Sequence, residues 1–523
     1  MPATSAASRY RPIITAVALG ALALLVCGRD LDRAPVYIYH DEAIYALNAH
    51  SILTTGRDLQ GLRLPLFFHT FAWVPPIAIY ARALTFIWAP VSTVTTRFPG
   101  VVFLAIDVIL TYLVGRRLFR HEGLALLGAV FVMLTPSHMM HARLATDHIC
   151  SLPFFMLFVL FMIGYMDHGT PRSLGAATLC LSLGIYGYNG GMTQAPVFLV
   201  LTGLLLFFTL RVRTMRPYVV AAAGVALALL PLVLWLIAHP EQPRDQLRSY
   251  AVSAPGVGAA PAGAGTALLS ALVARLDAYY NFFNPSMLFF RGGQSLLDST
   301  REVGVFLLPM AVLLPVGVHH ILVRHRHLAD RFVLLGFFVA PFSALIVPEA
   351  NASRAFAMVP LAALIATRGV QSLLRSASMV WRGLAIVLLI ATVAQFQMFY
   401  RDYLGQYRER SSSWFEGNRD GAFEALIARA DGNHAARMHV SGDIPLARYS
   451  WQFYLLEHRR PDLKDRFTYC DEAFDFAAAP EGSVFLAPFN QGQPSAFDRS
   501  PMLKRVAVIE NADRHPAFAV YEK

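Results

Sequence analysis

Two adjacent carboxylates, Asp41 and Glu42, follow the first very hydrophobic segment of this chain, in the sequence Tyr39-His40-Asp41-Glu42-Ala43. A chain that leaves a membrane meets water at this point, so these acids are expected at the membrane surface. A carboxylate there can act as a general base, and its neighbour can bind a metal ion or orient a substrate. The alternative is a purely structural helix start, because acidic side chains complement the positive end of the helix dipole.

A third acid, Asp147, stands at the start of a later apolar run. It either caps the helix that follows or joins Asp41 and Glu42 at one site on the same side of the membrane. Arg143, four residues earlier in the sequence, is a candidate ion-pair partner for it. Convergence of the three acids is a hypothesis that depends on the tertiary structure.

Four arginines are predicted at the outer ends of apolar segments. Arginine stays protonated even when it is buried, and it can hold phosphate through two parallel hydrogen bonds. Each of these side chains can also simply extend to lipid headgroups, but together they suit a phosphate held near the bilayer surface. The four are Arg97, Arg143, Arg291 and Arg354.

Asp107 lies near the middle of a predicted span. A carboxylate at that depth is costly, so it is a functional candidate; the alternative is a protonated side chain that bonds a neighbouring helix. The sequence gives no HxxxH or HExxH spacing for a histidine metal site, and its four cysteines form no CxxC pattern or plausible disulfide pair. The histidines weighed as metal ligands are His40, His69, His138, His141 and His148.

The composition indicates a membrane protein. The 523 residues are 56% hydrophobic and only 15% charged, whereas soluble proteins carry about 25% charged residues. The net charge of +10 can suggest nucleic acid, but the arginines are scattered between apolar runs, where membrane orientation and lipid phosphate explain them better. About eleven runs have spanning length, near residues 12–28, 98–118, 123–138, 148–166, 173–189, 193–210, 217–238, 302–323, 332–348, 355–373 and 382–399.

Charge sets the predicted orientation. Arginines cluster in alternate connections, so the positive-inside rule places these connections and the N-terminus in the cytoplasm. The first outer loop, 29–97, a second long outer loop, 239–301, and the part after residue 400 are then outside. Within the first loop, segments 42–53 and 74–92 are predicted to be helices that lie at the outer interface.

The first of these interfacial helices has two predicted faces. Asp41, Tyr45 and Asn48 share one face at a spacing of three to four residues, and Ile44 and Leu47 point another way. The pattern predicts an amphipathic helix.

Residues 401–523 differ in character from the transmembrane part, 1–400. Charged and polar residues return, and short β-like runs surround one helical segment. This predicts a small α/β domain outside the membrane. The β-like runs are Met438–Val440, Val484–Ala487, Val506–Ile509 and Ala517–Val520, and the helix is Leu446–His458.

Several motifs, in this order, resemble the GT-C superfamily of membrane glycosyltransferases, in particular the group of protein O-mannosyltransferases, lipid A aminoarabinose transferases and RgtA-like enzymes (glycosyltransferase family 39/83-like). The resemblance covers roughly residues 10–400. The predicted fold class is an α-helical multi-pass membrane protein of the GT-C type, with about eleven transmembrane helices and interfacial helices in the first outer loop, followed by the small α/β domain, which lies outside the resemblance. The motifs are His40-Asp41-Glu42-Ala43 with Tyr45-Ala46, Val74-Pro75-Pro76-Ile77, Arg97-Phe98-Pro99, Ala142-Arg143-Leu144-Ala145-Thr146-Asp147, and Asn351-Ala352-Ser353-Arg354-Ala355-Phe356 with Pro360.

The resemblance also implies roles for single residues. Asp41 is expected to be the general base, Arg97 or a later arginine to meet the donor phosphate, and Asp147 to line the sugar or acceptor site. Ile44 stands where aminoarabinose transferases usually have arginine, and Val74 stands where protein mannosyltransferases usually have histidine. The acceptor therefore stays open.

The predicted activity is transfer of a sugar from a polyprenyl-phosphate donor to a hydroxyl of a lipid, glycan or protein acceptor. The reaction is expected to invert the anomeric centre and to take place on the outer face of the cytoplasmic membrane. No nucleic acid takes part. The residues expected to orient substrate, or to bind a divalent cation (Mg, Mn, Ca or Zn) if one is used, are Glu42, Asp147, Tyr45 and His69.

Two alternatives remain at this stage. A lipid or saccharide transporter or flippase would explain Asp107, although the sequence shows no internal repeat of the kind that transporters carry. An O-antigen-ligase-type membrane enzyme would place its key residues in the outer loop 239–301.

Overall fold

The computed structural model describes residues 6–70, 72–246, 264–324, 327–345, 351–431, 437–471, 474–489 and 495–523. The described chain is mostly helical and ends in a small mixed sheet. The helices are α1 (Ala6–Cys27), α2 (His40–Thr55), α3 (Ile77–Trp88), α4 (Thr93–Phe119), α5 (Glu122–Met133), α6 (Pro136–Arg143), α7 (Leu152–His168), α8 (Pro171–Leu183), α9 (Asn189–Leu204), α10 (Met215–Ala238), α11 (Ala264–Asn281), α12 (Met310–His319), α13 (Leu328–Val339), α14 (Met358–Leu374), α15 (Met379–Leu404), α16 (Gln406–Ser411), α17 (Arg419–Ala430), α18 (Ala447–Glu457) and α19 (Ala496–Arg499). The strands are β1 (Phe68–His69), β2 (Trp73–Val74), β3 (Met438–Ser441), β4 (Phe467–Cys470), β5 (Val484–Pro488), β6 (Lys504–Glu510) and β7 (Pro516–Glu522).

The predicted helical multi-pass fold is confirmed. A helix lies at each of the eleven positions where the sequence predicts a span. α5 and α6 meet at a bend of 56°, and together they count as one span if the bend is taken as a break within it. Several other predicted spans are shorter apolar helices, among them α7, α12 and α14. Five described helical segments are long and apolar enough to cross a membrane by themselves: Tyr10–Cys27, Thr93–Phe119, Asn189–Thr209, Met215–Ala238 and Met379–Leu404.

The predicted span 123–138 is divided by the bend between α5 and α6, and α6 extends beyond its predicted end. Pro136 begins α6, where its missing N–H would have had no partner in any case, and the helix continues to Arg143. Gly100 of α4 approaches α6 so closely that a Cβ atom there would lie 2.2 Å from the carbonyl oxygen of Ala142. Only glycine permits this contact, which fixes α4 against α6 beside the first outer loop.

The outward faces of several spans are apolar. On α10 the side chains of Leu227, Leu234 and Ile237 are all exposed. α4 instead lies inside the bundle, where it packs against α1, α3, α5, α6 and α7. Continuous apolar faces of this kind are unfavourable in water, which supports a membrane location for these helices.

The first outer loop contains two helices that pack on each other, α2 and α3, at the positions predicted for interfacial helices. α3 buries one face and exposes Leu84, Ile87 and Trp88 on the other. The predicted two-faced pattern of α2 is wrong, because Ile44 and Asn48, on different predicted faces, are both buried. Helix α18 of the C-terminal part covers α2 from the other side.

The C-terminal part is an α/β unit with five strands in the order β4-β3-β5-β7-β6. β3 pairs in parallel with β4 and β5, whereas β7 is antiparallel to β5 and β6. Strand β4 and helices α17 and α19 were not among the predicted elements. Phe453 of α18 is fully buried in a cluster that includes Ala43 and Ile44 of α2, so the sheet unit and the membrane part share a hydrophobic core.

Candidate active site

Two buried arginines hold the chain that leads into α2. The guanidinium of Arg143 donates all of its five N–H groups to carbonyl oxygens of the segment after α1, and its cation lies 5.4 Å from the centre of the Tyr403 ring. Arg143 is completely buried. The accepting carbonyls, with their distances, belong to Cys27 (2.6 Å), Arg29 (2.7 Å), Asp30 (2.9 Å) and Ala34 (3.2 Å and 2.8 Å).

Arg97, on the first turns of α4, also donates all five of its N–H groups to partners inside the protein. Its Nε and Nη2 donate to the two carboxylate oxygens of Glu42 at 2.8 Å and 3.1 Å. Its remaining hydrogen bonds go to the carbonyls of Leu31, Pro35 and Tyr37. The structure therefore corrects the predicted phosphate contact of Arg97 and of Arg143, because neither guanidinium has a donor left for a phosphate.

Glu42 links three parts of the chain. Besides Arg97, it accepts hydrogen bonds from the backbone N–H groups of Tyr39 and Ala145, both at 2.9 Å. Glu42 is fully buried, so the structure corrects its predicted contact with substrate or metal. Its hydrogen bonds hold the surrounding chain in position. The bond to Ala145 holds the loop that carries Asp147 directly against the start of α2.

Asp41 is the member of the acidic pair that reaches solvent. Its side chain is 23% exposed, but its Oδ1 atom is buried. That oxygen lies 3.3 Å from Nε2 of His40, an ion-pair contact. The exposed part of the carboxylate is therefore on the Oδ2 side.

Asp147 is brought next to Asp41. Burial raises the pKa of Asp147 to about 7, and the nearby charge of Asp41 adds to this effect. The guanidinium of Arg82 and a hydrogen bond from the Tyr45 hydroxyl act in the opposite direction. Arg82 is buried and lies 5.6 Å from the centre of the Tyr45 ring. The acids predicted to converge are therefore electrostatically coupled, with Tyr45 and Arg82 between them.

A second group of side chains approaches the same carboxylates from the late outer connections. The charges of Asp41 and Arg354 both act on the ring of His148. Its ring lies 5.3 Å from that of Tyr188, and the Tyr188 hydroxyl is 3.3 Å from Oγ of Ser353. Arg354 follows Ser353 on a short 3-10 helix and is partly exposed. Arg354, one of the predicted arginines, therefore acts on the same side chain as Asp41, namely His148.

A polar cavity of about 1060 Å³ adjoins this group. Asp298 on its wall lies 3.9 Å from Nε2 of His141, whose ring is 5.4 Å from that of His148. The predicted residue Arg291 lies on the cavity wall and is exposed. Other polar lining residues are Asn281, Asn284, Gln294, Thr300, Arg301 and Asn351.

His69 and Asp107 lie elsewhere in the described structure. His69 is on the hairpin β1–β2, and its ring contacts Trp73 at 4.8 Å; the described contacts do not connect it with Asp41. Asp107, for which the sequence names no partner, lies 3.1 Å from Nε2 of His138, and both side chains are fully buried. This pair joins α4 to α6.

The described residues contain no group of three or more His, Cys, Asp or Glu side chains arranged to hold a metal ion. Glu42, predicted as one ligand, is bound to Arg97 and to two backbone N–H groups. The donor set therefore does not fit the predicted divalent cation.

The sequence reasoning gave several residues of this site no role beside the acids: His40 and His148, which it weighed only as metal ligands, and Arg82, Tyr188 and Tyr403. Two of them carried a signal. His40 directly precedes Asp41, and Arg82 is a charge inside an otherwise apolar segment. A buried charge needs a partner, so Arg82 indicated that a carboxylate or polar group lies near α3.

The raised pKa of Asp147 predicts a pH-dependent change in stability. A carboxyl with a folded-state pKa of about 7 opposes folding increasingly as the pH rises above its unfolded value of about 3.9. Asp147→Asn removes this penalty, so it should raise the unfolding temperature in detergent at pH 8 and leave it unchanged near pH 4. Asp167→Asn, at an exposed position of α7, is the control. Equal unfolding temperatures of Asp147→Asn and wild type at pH 8 would contradict the burial of this carboxylate.

The fold of this chain is similar to that of solved structures of ArnT and of the oligosaccharyltransferase AglB. A first outer loop with two packed helices, a bundle of apolar helices and a C-terminal α/β unit define this fold. The family described as dolichyl-phosphate-mannose-protein mannosyltransferase matches residues 74–235. No curated protein sequence matches the chain.

Solved structures share the fold over nearly the whole chain. ArnT from Cupriavidus metallidurans in the apo state superimposes with a TM-score of 0.61 at 13% identity, and the match covers 99% of this chain and 98% of that one. ArnT bound to undecaprenyl phosphate gives a TM-score of 0.57 at 12% identity, over 96% and 97% of the two chains. The oligosaccharyltransferase AglB from Archaeoglobus fulgidus, in complex with an inhibitory peptide and a dolichol-phosphate, gives 0.50 at 14% identity, over 87% of this chain and 64% of that one.

Proposed function

We propose that this protein transfers a sugar from a polyprenyl-phosphate donor to an acceptor hydroxyl at the outer face of the cytoplasmic membrane. The observation that carries the proposal is the placement of Asp41. Its carboxylate reaches solvent at the start of a buried helix that Glu42 and Arg97 fix, and a second acid, Asp147, faces it. A fold that only transports lipid does not require a carboxylate held rigidly at the start of a buried helix.

Support for the donor comes from the solved structures and from one arginine. An ArnT structure holds undecaprenyl phosphate and an AglB structure holds a dolichol-phosphate. In this chain Arg354 is partly exposed and acts electrostatically on His148, which also feels Asp41. We place the donor phosphate at Arg354 because its charge acts on the same side chain as that of Asp41, and Arg291, exposed on the cavity wall, is a second predicted arginine for it.

Support for a hydroxyl-bearing acceptor comes from the cavity. Amide and hydroxyl side chains such as Asn284, Gln294 and Thr300 line it, and sugars bind through hydrogen bonds to groups of this kind. Its volume of about 1060 Å³ lies just above the range of about 300–1,000 Å³ for small-molecule sites. It can receive the donor sugar together with the polar end of an acceptor.

The proposed reaction is a single displacement. The acceptor hydroxyl gives its proton to the exposed oxygen of Asp41 while its own oxygen forms a bond to the anomeric carbon. The bond from that carbon to the phosphate oxygen breaks on the opposite side, and the phosphate leaves with the electron pair. This sequence inverts the anomeric centre. Arg354 stabilises the charge on the leaving phosphate, and Asp147 and Tyr45 orient the sugar or the acceptor.

The proposal is tested with radiolabelled polyprenyl-phosphate sugars. Purified protein in lipid nanodiscs should consume one of them and release polyprenyl phosphate, and Arg354→Gln should raise the KM for the donor about 10–100-fold. A hydrogen bond to a charged group contributes about 1.5–3 kcal/mol, which is the basis of that estimate. Arg375→Gln, an exposed arginine beyond the other end of α14, should leave KM unchanged. Failure to consume any donor would contradict the proposed function, and an unchanged KM in Arg354→Gln would remove this arginine from the donor site.

A further inference from the structure

The C-terminal unit touches the catalytic segment at His40. Nδ1 of His40 lies 2.7 Å from Oε1 of Glu416, a residue of the turn between α16 and α17. The other ring nitrogen, Nε2, lies 3.3 Å from Oδ1 of Asp41. Since each nitrogen faces a carboxylate oxygen, a protonated ring can donate on both sides. The imidazole thus connects Glu416 of the C-terminal unit with Asp41 of the membrane unit.

Glu416 is itself fixed in place. Its Oε2 lies 3.1 Å from Nη1 of Arg419, a buried arginine that also donates to Oγ of Ser450 and to the carbonyl of Pro445. Glu416 has a φ of 64°, in the left-handed region where a residue other than glycine is strained. Strain of this kind persists where the surroundings impose it and is frequent at functional sites.

We propose that Glu416 is a positioning residue of the active site. Acting through His40, it holds Oδ1 of Asp41, so that the other carboxylate oxygen of Asp41 faces the acceptor hydroxyl. The inference rests on the proposed function, because it requires Asp41 to be the general base. It gives the C-terminal unit a part in positioning the general base.

The charges around His40 make this contact depend on pH. The titratable and charged side chains next to the ring are Tyr39, Asp41 and Glu416, with Arg419 behind Glu416. Burial opposes the charged ring, but the hydrogen bonds and charges of Asp41 and Glu416 outweigh it and raise the pKa of His40 to about 9. A raised histidine pKa means that the contact is fully present below about pH 6.5 and is lost as the pH rises to about 9.

The test compares Glu416→Gln with Glu457→Gln across pH. Both variants remove one negative charge from the C-terminal unit where it meets the membrane unit. Glu457 accepts a hydrogen bond from the backbone N–H of Thr93 at 2.7 Å and does not contact His40 in the described structure. Loss of one neighbouring charge moves a pKa by about 1–3 units. The alkaline limb of kcat/KM should therefore move down by about one pH unit or more in Glu416→Gln and stay in place in Glu457→Gln.

The outcomes separate this inference from the proposed function. If Glu416→Gln lowers the rate by the same factor at every pH, the contact is only structural and the inference is overturned. A double-mutant cycle of His40→Asn and Glu416→Gln on the unfolding temperature needs no donor, and additive effects in it would overturn the contact itself. If wild-type protein consumes no lipid-linked sugar although the cycle shows coupling, the proposed function fails, and the role of Asp41 fails with it.

Discussion

Replacing Asp41 with asparagine is expected to lower the rate of sugar transfer by about 10²–10⁴-fold, the usual contribution of a general base, with little change in folding. Asparagine keeps the size of the side chain but cannot accept the acceptor proton at neutral pH. The structural partners of the helix start belong to Glu42 and Arg97, so they survive the substitution. The measurement is the initial rate of label transfer from a saturating lipid-linked donor, together with the unfolding temperature of the same preparation.

Asp32→Asn is the matched control for this variant. Asp32 is an exposed acid of the same outer loop, and it loses the same charge nine positions earlier in the sequence. Its rate should stay within a factor of two of wild type. A rate loss in Asp41→Asn that is no larger than in Asp32→Asn would exclude Asp41 as the base. Donor that still binds with unchanged KM would show that the loss is chemical.

The helical part of the fold was predictable because a span is a local property. Apolar length alone locates the eleven helical positions, and the break at Pro75-Pro76 with the buried charge of Arg82 separates an interfacial helix from a span. The bend of 56° at Pro136 was not predicted, because it accompanies a long-range contact in which α6 packs closely on α4 at Gly100.

The roles of the outer arginines could not be read from sequence. Arg97, Arg143 and Arg354 all stand near the outer end of an apolar run, where a phosphate contact and a structural contact have the same sequence signature. The difference lies in the segment after α1, which turns its carbonyl groups inward around Arg97 and Arg143. That arrangement depends on the backbone conformation of the segment, and no single residue type in the segment predicts this conformation.

Long-range partners explain the other differences. Asp107 on α4 contacts His138 on α6, and His40 contacts Glu416, which lies 376 residues later in the sequence. Periodicity and motif spacing indicate neighbours within one helix or strand, so they cannot predict pairs that are far apart in the sequence. The position of Asp41 was within reach of sequence reasoning because its placement requires only one boundary, the end of the first span.

The second large effect is expected at Arg97, where the substitution tests structure and not catalysis. Arg97→Gln leaves the Glu42 carboxylate buried without its cation and removes hydrogen bonds from three carbonyls. Breaking one side of a buried ion pair costs about 3–5 kcal/mol, a large part of the total stability of about 5–15 kcal/mol of a typical protein. The unfolding temperature in detergent should therefore fall sharply, and the yield of folded protein should fall with it.

Two comparison variants decide the cause. Arg29→Gln removes one side of an exposed ion pair, since the Arg29 side chain is 71% exposed, and it should cost at most about 1 kcal/mol. The double variant Glu42→Gln/Arg97→Gln removes the stranded charge and should recover part of the loss. A phosphate-binding Arg97 would instead give a raised donor KM at unchanged stability. Because all five of its N–H groups already have partners inside the protein, we expect the reverse: lower stability, and an unchanged KM in the fraction that folds.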